Sequence, residues 1–120
     1  MTPEAKPAAE YAHFDALDIR VGTITQVLPF PRARNPSYKI EVDLGPLGLR
    51  WSSAQVTNYS PEELLGSQVC CIVNFGARNI AGFTSEVLIL GAPGEAMASG
   101  HTGVIVVSPR SRVEDGSALF

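Results

Sequence analysis

Apolar and polar residues alternate with a period of two in several short runs between residues 18 and 108. The cleanest run is Tyr38–Leu44. Tyr38, Ile40, Val42 and Leu44 share one face, and Lys39, Glu41 and Asp43 share the other. That pattern predicts a strand with the first set in the core and the second facing water or a partner. Upstream, Asp18–Leu28 carries Ile19 and Val21, then Ile24, so the alternation slips by one at Gly22. A glycine at such a slip predicts a bulge or sharp bend, as when a strand curls into a barrel. Leu49–Ser53 reads as a third strand, with Trp51 on the face of Leu49. Val69–Phe75 and Ser85–Leu90 are β-rich runs flanking a Gly-punctuated loop, and are expected to pair as two strands of a long-looped hairpin. Thr102–Ser108 is a sixth strand, and the small residues of Gly91–Gly100 read as a loop. Helical spacing is confined to Tyr11–Leu17 and Ser60–Gly66. In the second, Ser60 fits the N-cap, Pro61 the first helical position, Glu63 a capping box and Gly66 the stop.

The order strand, strand, strand, short helix, strand, strand, with a bent first strand, is that of the OB-fold. The predicted class is all-β: a five-stranded OB-fold barrel with a short helix between strands 3 and 4, plus an extra C-terminal strand. A chain of 120 residues is one domain, expected over residues 14–120 behind a Pro-, Ala- and Glu-rich disordered tail at 1–13. A net charge of −3 argues against indiscriminate coating of nucleic acid and leaves room for a local basic patch. No apolar run reaches the ~18 residues of a membrane span, and the N-terminus lacks a signal-peptide core. Hence no membrane insertion is expected, and a cytoplasmic location follows by default.

Cys70 and Cys71 are adjacent in a strand, so their side chains point to opposite faces and suit packing better than a disulfide. His13 and His101 lack the spacing of a metal site. With no Ser-His-Asp grouping, phosphate loop or dinucleotide fingerprint, the sequence predicts no enzyme, no cofactor and no metal.

Two binding chemistries remain. For nucleic acid, Arg32 and Arg34 in the Pro-rich loop, Lys39 beyond it, and Arg50 are phosphate candidates. Ser52, Ser53, Gln55, Asn74 and Ser85 offer hydroxyls and amides to bases and sugars, with Arg78 adding charge. Asn74 and Ser85 close the loop-proximal ends of the fourth and fifth strands. They either satisfy turn backbone or contact ligand, and lie near each other if those strands pair. Trp51 reads as core or as a stacking platform. For polypeptide, Phe30, Phe75, Ile80 and Phe83 would line an apolar groove, unless Phe83 instead pins its loop to the barrel.

Several segments together carry a family resemblance over about residues 14–116. They are Asp18-Ile-Arg-Val-Gly22, Phe30-Pro-Arg-Ala-Arg34, Ser52-Ser-Ala-Gln55, Val73-Asn-Phe75 and Ile80-Ala-Gly-Phe-Thr-Ser-Glu-Val-Leu88. The chain resembles the CsaA-type export-related chaperones, members of the tRNA-binding OB-fold domain family that includes domains appended to some methionyl- and phenylalanyl-tRNA synthetases. The synthetase-type domains typically carry Ser-x-Gly-Met where this chain has Ser85-Glu-Val-Leu88, and Ser-Gly where it has Ser53-Ala54. Both departures look CsaA-like. The resemblance implies a non-enzymatic, homodimeric protein that binds tRNA or structured RNA, or alternatively a chaperone for unfolded or export-destined polypeptides. The apolar run Val104–Val107 fits a dimer, since something must cover it.

Overall fold

In the computed structural model, which describes residues 4–120, α1 (Tyr11–Asp15) leads into β1 (Ile19–Pro29), β2 (Tyr38–Asp43) and, after a single 3-10 turn, β3 (Leu49–Ala54). Then come α2 (Pro61–Leu64), β4 (Gln68–Ile72), β5 (Arg78–Ile80), β6 (Phe83–Ser85), β7 (Leu88–Ile89), β8 (Gly91–Ala96) and β9 (Thr102–Val106). β3, β2, β1, β4 and β7 form one antiparallel sheet in that order, and β5–β6 and β8–β9 are separate two-stranded hairpins. The sheet curls because β1 is long enough to serve two partners: residues 19–23 pair with β4, and residues 23–29 with β2. The seam between β3 and β7 is bridged by Trp51, whose carbonyl accepts from the Glu86 and Val87 backbone N–H groups at 2.7 and 3.3 Å. The result is a nearly closed five-stranded barrel, all-β as expected. Ile24, Ile40, Val42, Leu44, Val69, Cys71 and Val87 fill it, and Val56 and Leu64 pack with them.

α2 forms as its capping box dictates. The Ser60 hydroxyl accepts from the Glu63 N–H at 3.3 Å, and the Glu63 carboxylate accepts from the Ser60 N–H at 2.8 Å. Gly66 then stops the helix at φ +81°. The fourth strand ends at Ile72, which leaves Asn74 beyond it. Residues 1–3 of the expected disordered tail lie outside the described residues, and 4–10 form neither helix nor strand.

Four expectations need correction. The irregularity in β1 lies at Thr25, between Ile24 and Gln26, where the register against β2 shifts. Gly22 serves close approach instead: a Cβ there would sit 2.5 Å from a Val42 methyl and 2.7 Å from the Asp43 carbonyl oxygen. Glu41 does not face water. It is 8% exposed, and its carboxylate accepts from the Thr25 hydroxyl at 2.8 Å and the Gln26 amide at 2.9 Å across that bulge. The stretch Ser85–Leu90 is not one strand: it divides between β6 and β7, and Ser85 pairs with Arg78 rather than lying across from Asn74. Gly91–Gly100 is not simply a loop, because β8 pairs with β9 through much of it.

The chain end also joins the barrel, which its sequence did not announce. Leu119 N–H donates to the Ile19 carbonyl at 2.8 Å and Gly116 N–H to the Val21 carbonyl at 2.7 Å. Arg20, held by Asp18 at 2.6 Å, donates to the Gly116 carbonyl at 2.9 Å. The Asp18-Ile-Arg-Val-Gly22 motif is thereby a fastening for the tail.

Candidate nucleic-acid interface

The site is organised by the small β5–β6 hairpin. Its two-residue turn, Ala81-Gly82, has positive φ at both positions, 50° and 82°, the geometry that matches the twist of flanking strands. The Asn79 side chain steadies the turn by accepting from the Gly82 N–H at 3.1 Å. The hairpin lies over β3, an edge of the five-stranded sheet, and its following residues take up that edge's free backbone groups. Ser53 N–H donates to the Ser85 hydroxyl oxygen at 3.1 Å, and Trp51 N–H donates to Glu86 Oε1 at 3.0 Å.

Aromatic contacts finish the attachment. The Phe83 ring meets Phe30 edge-on at 5.4 Å and Trp51 at 6.0 Å, and the Lys39 ammonium lies 5.0 Å from the Phe30 ring centre and 5.2 Å from that of Phe83. Trp51 is thus half-buried on the outer face of β3, covered by the hairpin, while Ser52 is the residue of β3 that turns into the core.

Two adjoining hollows result. The first, of about 200 Å³, has apolar walls of Phe75, Ile80, Val87 and Leu88. Ser53, Arg78, Ser85 and Glu86 supply its polar groups. The second, of about 270 Å³, is lined by Arg34, Asn35, Ser37 and Gln55 and shares Ser53, Arg78 and Ile80 with the first. Arg32 reaches the hairpin tip, its Nη1 lying 3.9 Å from where a Cβ on Gly82 would sit. Among the described residues the one salt bridge joins Arg20 to Asp18, so Arg32, Arg34, Lys39 and Arg78 have no carboxylate within 4.0 Å.

The structure brings together Arg32, Arg34, Lys39, Ser53, Gln55, Arg78 and Ser85 of the nucleic-acid candidates. Ser52 is displaced from that set: at 1% exposure it is core. Arg50 lines neither hollow. Asn74 lies apart, its amide oxygen accepting from the Asp18 N–H and its amide nitrogen donating to the Ala16 carbonyl, both at 2.9 Å. Of the apolar candidates, Phe30 is buried and Phe83 is engaged in pinning the hairpin, while Phe75 stands 58% exposed beside Ile80 at the first hollow. Sequence reasoning missed Glu86 and Leu88 as site residues. The signal available was their place in the Ser85-Glu-Val-Leu88 segment.

The family model of the "Putative tRNA binding domain" matches residues 19–118, a span that contains the barrel, the hairpin and both hollows. The chain belongs to the tRNA-binding domain family. Two solved relatives are crystal structures of CsaA chaperones. One, from Bacillus anthracis, has a TM-score of 0.83 and 39% identity, covering 94% of this chain and 99% of that one. The other, from Picrophilus torridus, has a TM-score of 0.83 and 38% identity, covering 94% and 100%. Among sequence relatives, a methionine–tRNA ligase of Porphyromonas gingivalis is 38% identical over 119 residues, 97% of this chain but 17% of the ligase. Another, from Parabacteroides distasonis, is 35% identical with the same shares, so the chain spans about a sixth of the ligases it matches. The CsaA chains are covered nearly end to end.

Proposed function

We propose that this chain is a non-enzymatic binding protein for tRNA or another structured RNA, held along the edge formed by β3 and the β5–β6 hairpin. The observation that carries this reading is a cluster of cations with no carboxylate within 4.0 Å among the described residues: Arg34 and Arg78 line the hollows, while Arg32 and Lys39 lie against Gly82 and Phe83 of the same hairpin. Unpaired guanidinium and ammonium groups supply phosphate contacts without a prior ion pair to break. Hydroxyl and amide groups of Ser53, Ser85 and Gln55 lie between them, suited to base edges and 2′-OH groups. The family description and the relatives named as tRNA ligases support the same ligand class; the ligase activity is not carried over to this chain. Ultraviolet crosslinking of bound tRNA tests it. Adducts should map to β3 and to residues 75–86, and adducts confined to other surfaces would contradict the reading.

A second reading has its own support. Phe75 and Leu88 expose apolar surface at the first hollow, and the two solved relatives are named as chaperones. On this reading an unfolded or export-destined polypeptide occupies that hollow through Phe75, Ile80 and Leu88. We further propose a cytoplasmic homodimer, with the exposed Ile105 and Val107 at the β8–β9 arm as the surface to be covered. No helix of the described residues is long and apolar enough to cross a membrane.

A further inference from the structure

We propose that the first hollow receives one unstacked guanine of the bound RNA, read by Glu86 and Ser85. This rests on the RNA-binding reading above and specifies which base it selects. At about 200 Å³ the hollow is smaller than a drug-sized site, which begins near ~300 Å³, so it suits one flat ring rather than a whole nucleotide. Phe75, Ile80 and Leu88 offer apolar contact to the ring.

The polar groups present a specific pattern. Glu86 is held in place: Trp51 N–H donates to its Oε1 at 3.0 Å, and its own N–H donates to the Trp51 carbonyl at 2.7 Å. A carboxylate only accepts, and one such bond leaves further lone pairs on both oxygens. The Ser85 hydroxyl oxygen already accepts from Ser53 N–H, so its own proton is free to be donated. Two acceptors beside a donor complement guanine, whose N1–H and N2–H₂ adjoin its O6. Adenine and cytosine each place a ring acceptor beside their amine, and uracil flanks its single N–H with carbonyls. Each would turn an acceptor toward the carboxylate, leaving it unpaired or repelled. Arg78, on the wall shared with the cationic second hollow, places a phosphate contact beside the base.

The test is fluorescence anisotropy with single-stranded heptamers, UUUNUUU, at low salt, using the full chain. With guanine at N, binding should be about tenfold tighter than with adenine, cytosine or uracil, the discrimination of one good bidentate pair. Inosine, which lacks the 2-amino group, should lose much of that gain. Glu86→Gln, whose amide oxygen can keep the Trp51 contact, should bring the guanine-to-uracil ratio to within about twofold of unity. Equal binding of all four bases, or a guanine preference that survives Glu86→Gln, overturns the inference and leaves RNA binding standing. Binding of tRNA with none of the heptamers bound overturns it too, since a site for an unstacked base must work on a single strand. Failure of tRNA and heptamers alike would remove the RNA-binding reading itself.

Discussion

Asn74 spends both ends of its amide on backbone 56 and 58 residues away, tying the end of β4 to the turn between α1 and β1. We predict that Asn74→Ala costs about 1 kcal/mol of stability in a urea melt, the ordinary net worth of such bonds at an exposed position, and leaves tRNA affinity unchanged. Ser85→Ala should weaken RNA binding in a titration, because its hydroxyl lines the first hollow, and should also cost about 1 kcal/mol in the melt by leaving the Ser53 N–H without its acceptor. The cysteines make a separate prediction. Burial pushes the Cys71 thiol up to about 12, with neighbouring Cys70 adding to the effect, and burial raises Cys70 as well. A raised pKa favours the protonated thiol in the folded chain. Its stabilising contribution is complete below the unfolded value of roughly 8.5 and is lost as pH climbs toward 12, while the unfolded chain releases protons that the folded chain keeps. Urea melts between pH 7 and 10.5 should show that decline, and a Cys70→Ala, Cys71→Ala double variant should show less of it.

The β5–β6 hairpin is the element on which the candidate site depends. Phe83 holds it against Phe30 and Trp51, and Arg78 and Ser85 lie on it. Phe83→Ala should therefore cost about 2 kcal/mol, less than a fully buried Phe→Ala change because the ring is half-buried. It should also weaken RNA binding by loosening Arg78. Trp51 is the single tryptophan of the chain, so its fluorescence reports the detachment directly; an unshifted spectrum would show that other contacts hold the hairpin. This element was hard to read in sequence for a physical reason. Its strands are three residues each, and Arg78-Asn-Ile and Phe83-Thr-Ser carry no apolar alternation. Its turn is Ala-Gly rather than the Asn-Gly that usually marks such a hairpin. β8 was hidden similarly: Gly91, Ala92 and Gly94 have no side-chain pattern, and pairing with β9 alone makes the segment a strand. β2 was legible because Ile40 and Val42, alternate residues of one face, are fully buried, and α2 because its end groups satisfy each other locally.

At the scale of the molecule, element order sufficed for the barrel, since a bent first strand and a helix before β4 leave few ways to close a sheet. The site was legible in residue type more than in position. Arg34, Arg78, Ser53, Gln55 and Ser85 meet as expected, whereas Ser52 fell on the inward side of β3 because Trp51 takes the outer side under the hairpin. The acidic net charge of −3 coexists with a cationic edge that holds four of the nine Lys and Arg residues. A second copy would double that edge. Light scattering at micromolar concentration should return about twice the 12.8 kDa chain mass, and a monomer mass would remove the dimer from the account. The most direct test of RNA binding at this edge is the salt dependence of tRNA affinity, wild type against an Arg34→Ala, Arg78→Ala double variant. The logarithm of the association constant should fall linearly with the logarithm of salt concentration, and the variant's line should be shallower by roughly 0.7–0.9 for each of the two phosphate contacts removed. Parallel lines would contradict the account, placing the RNA on some other surface.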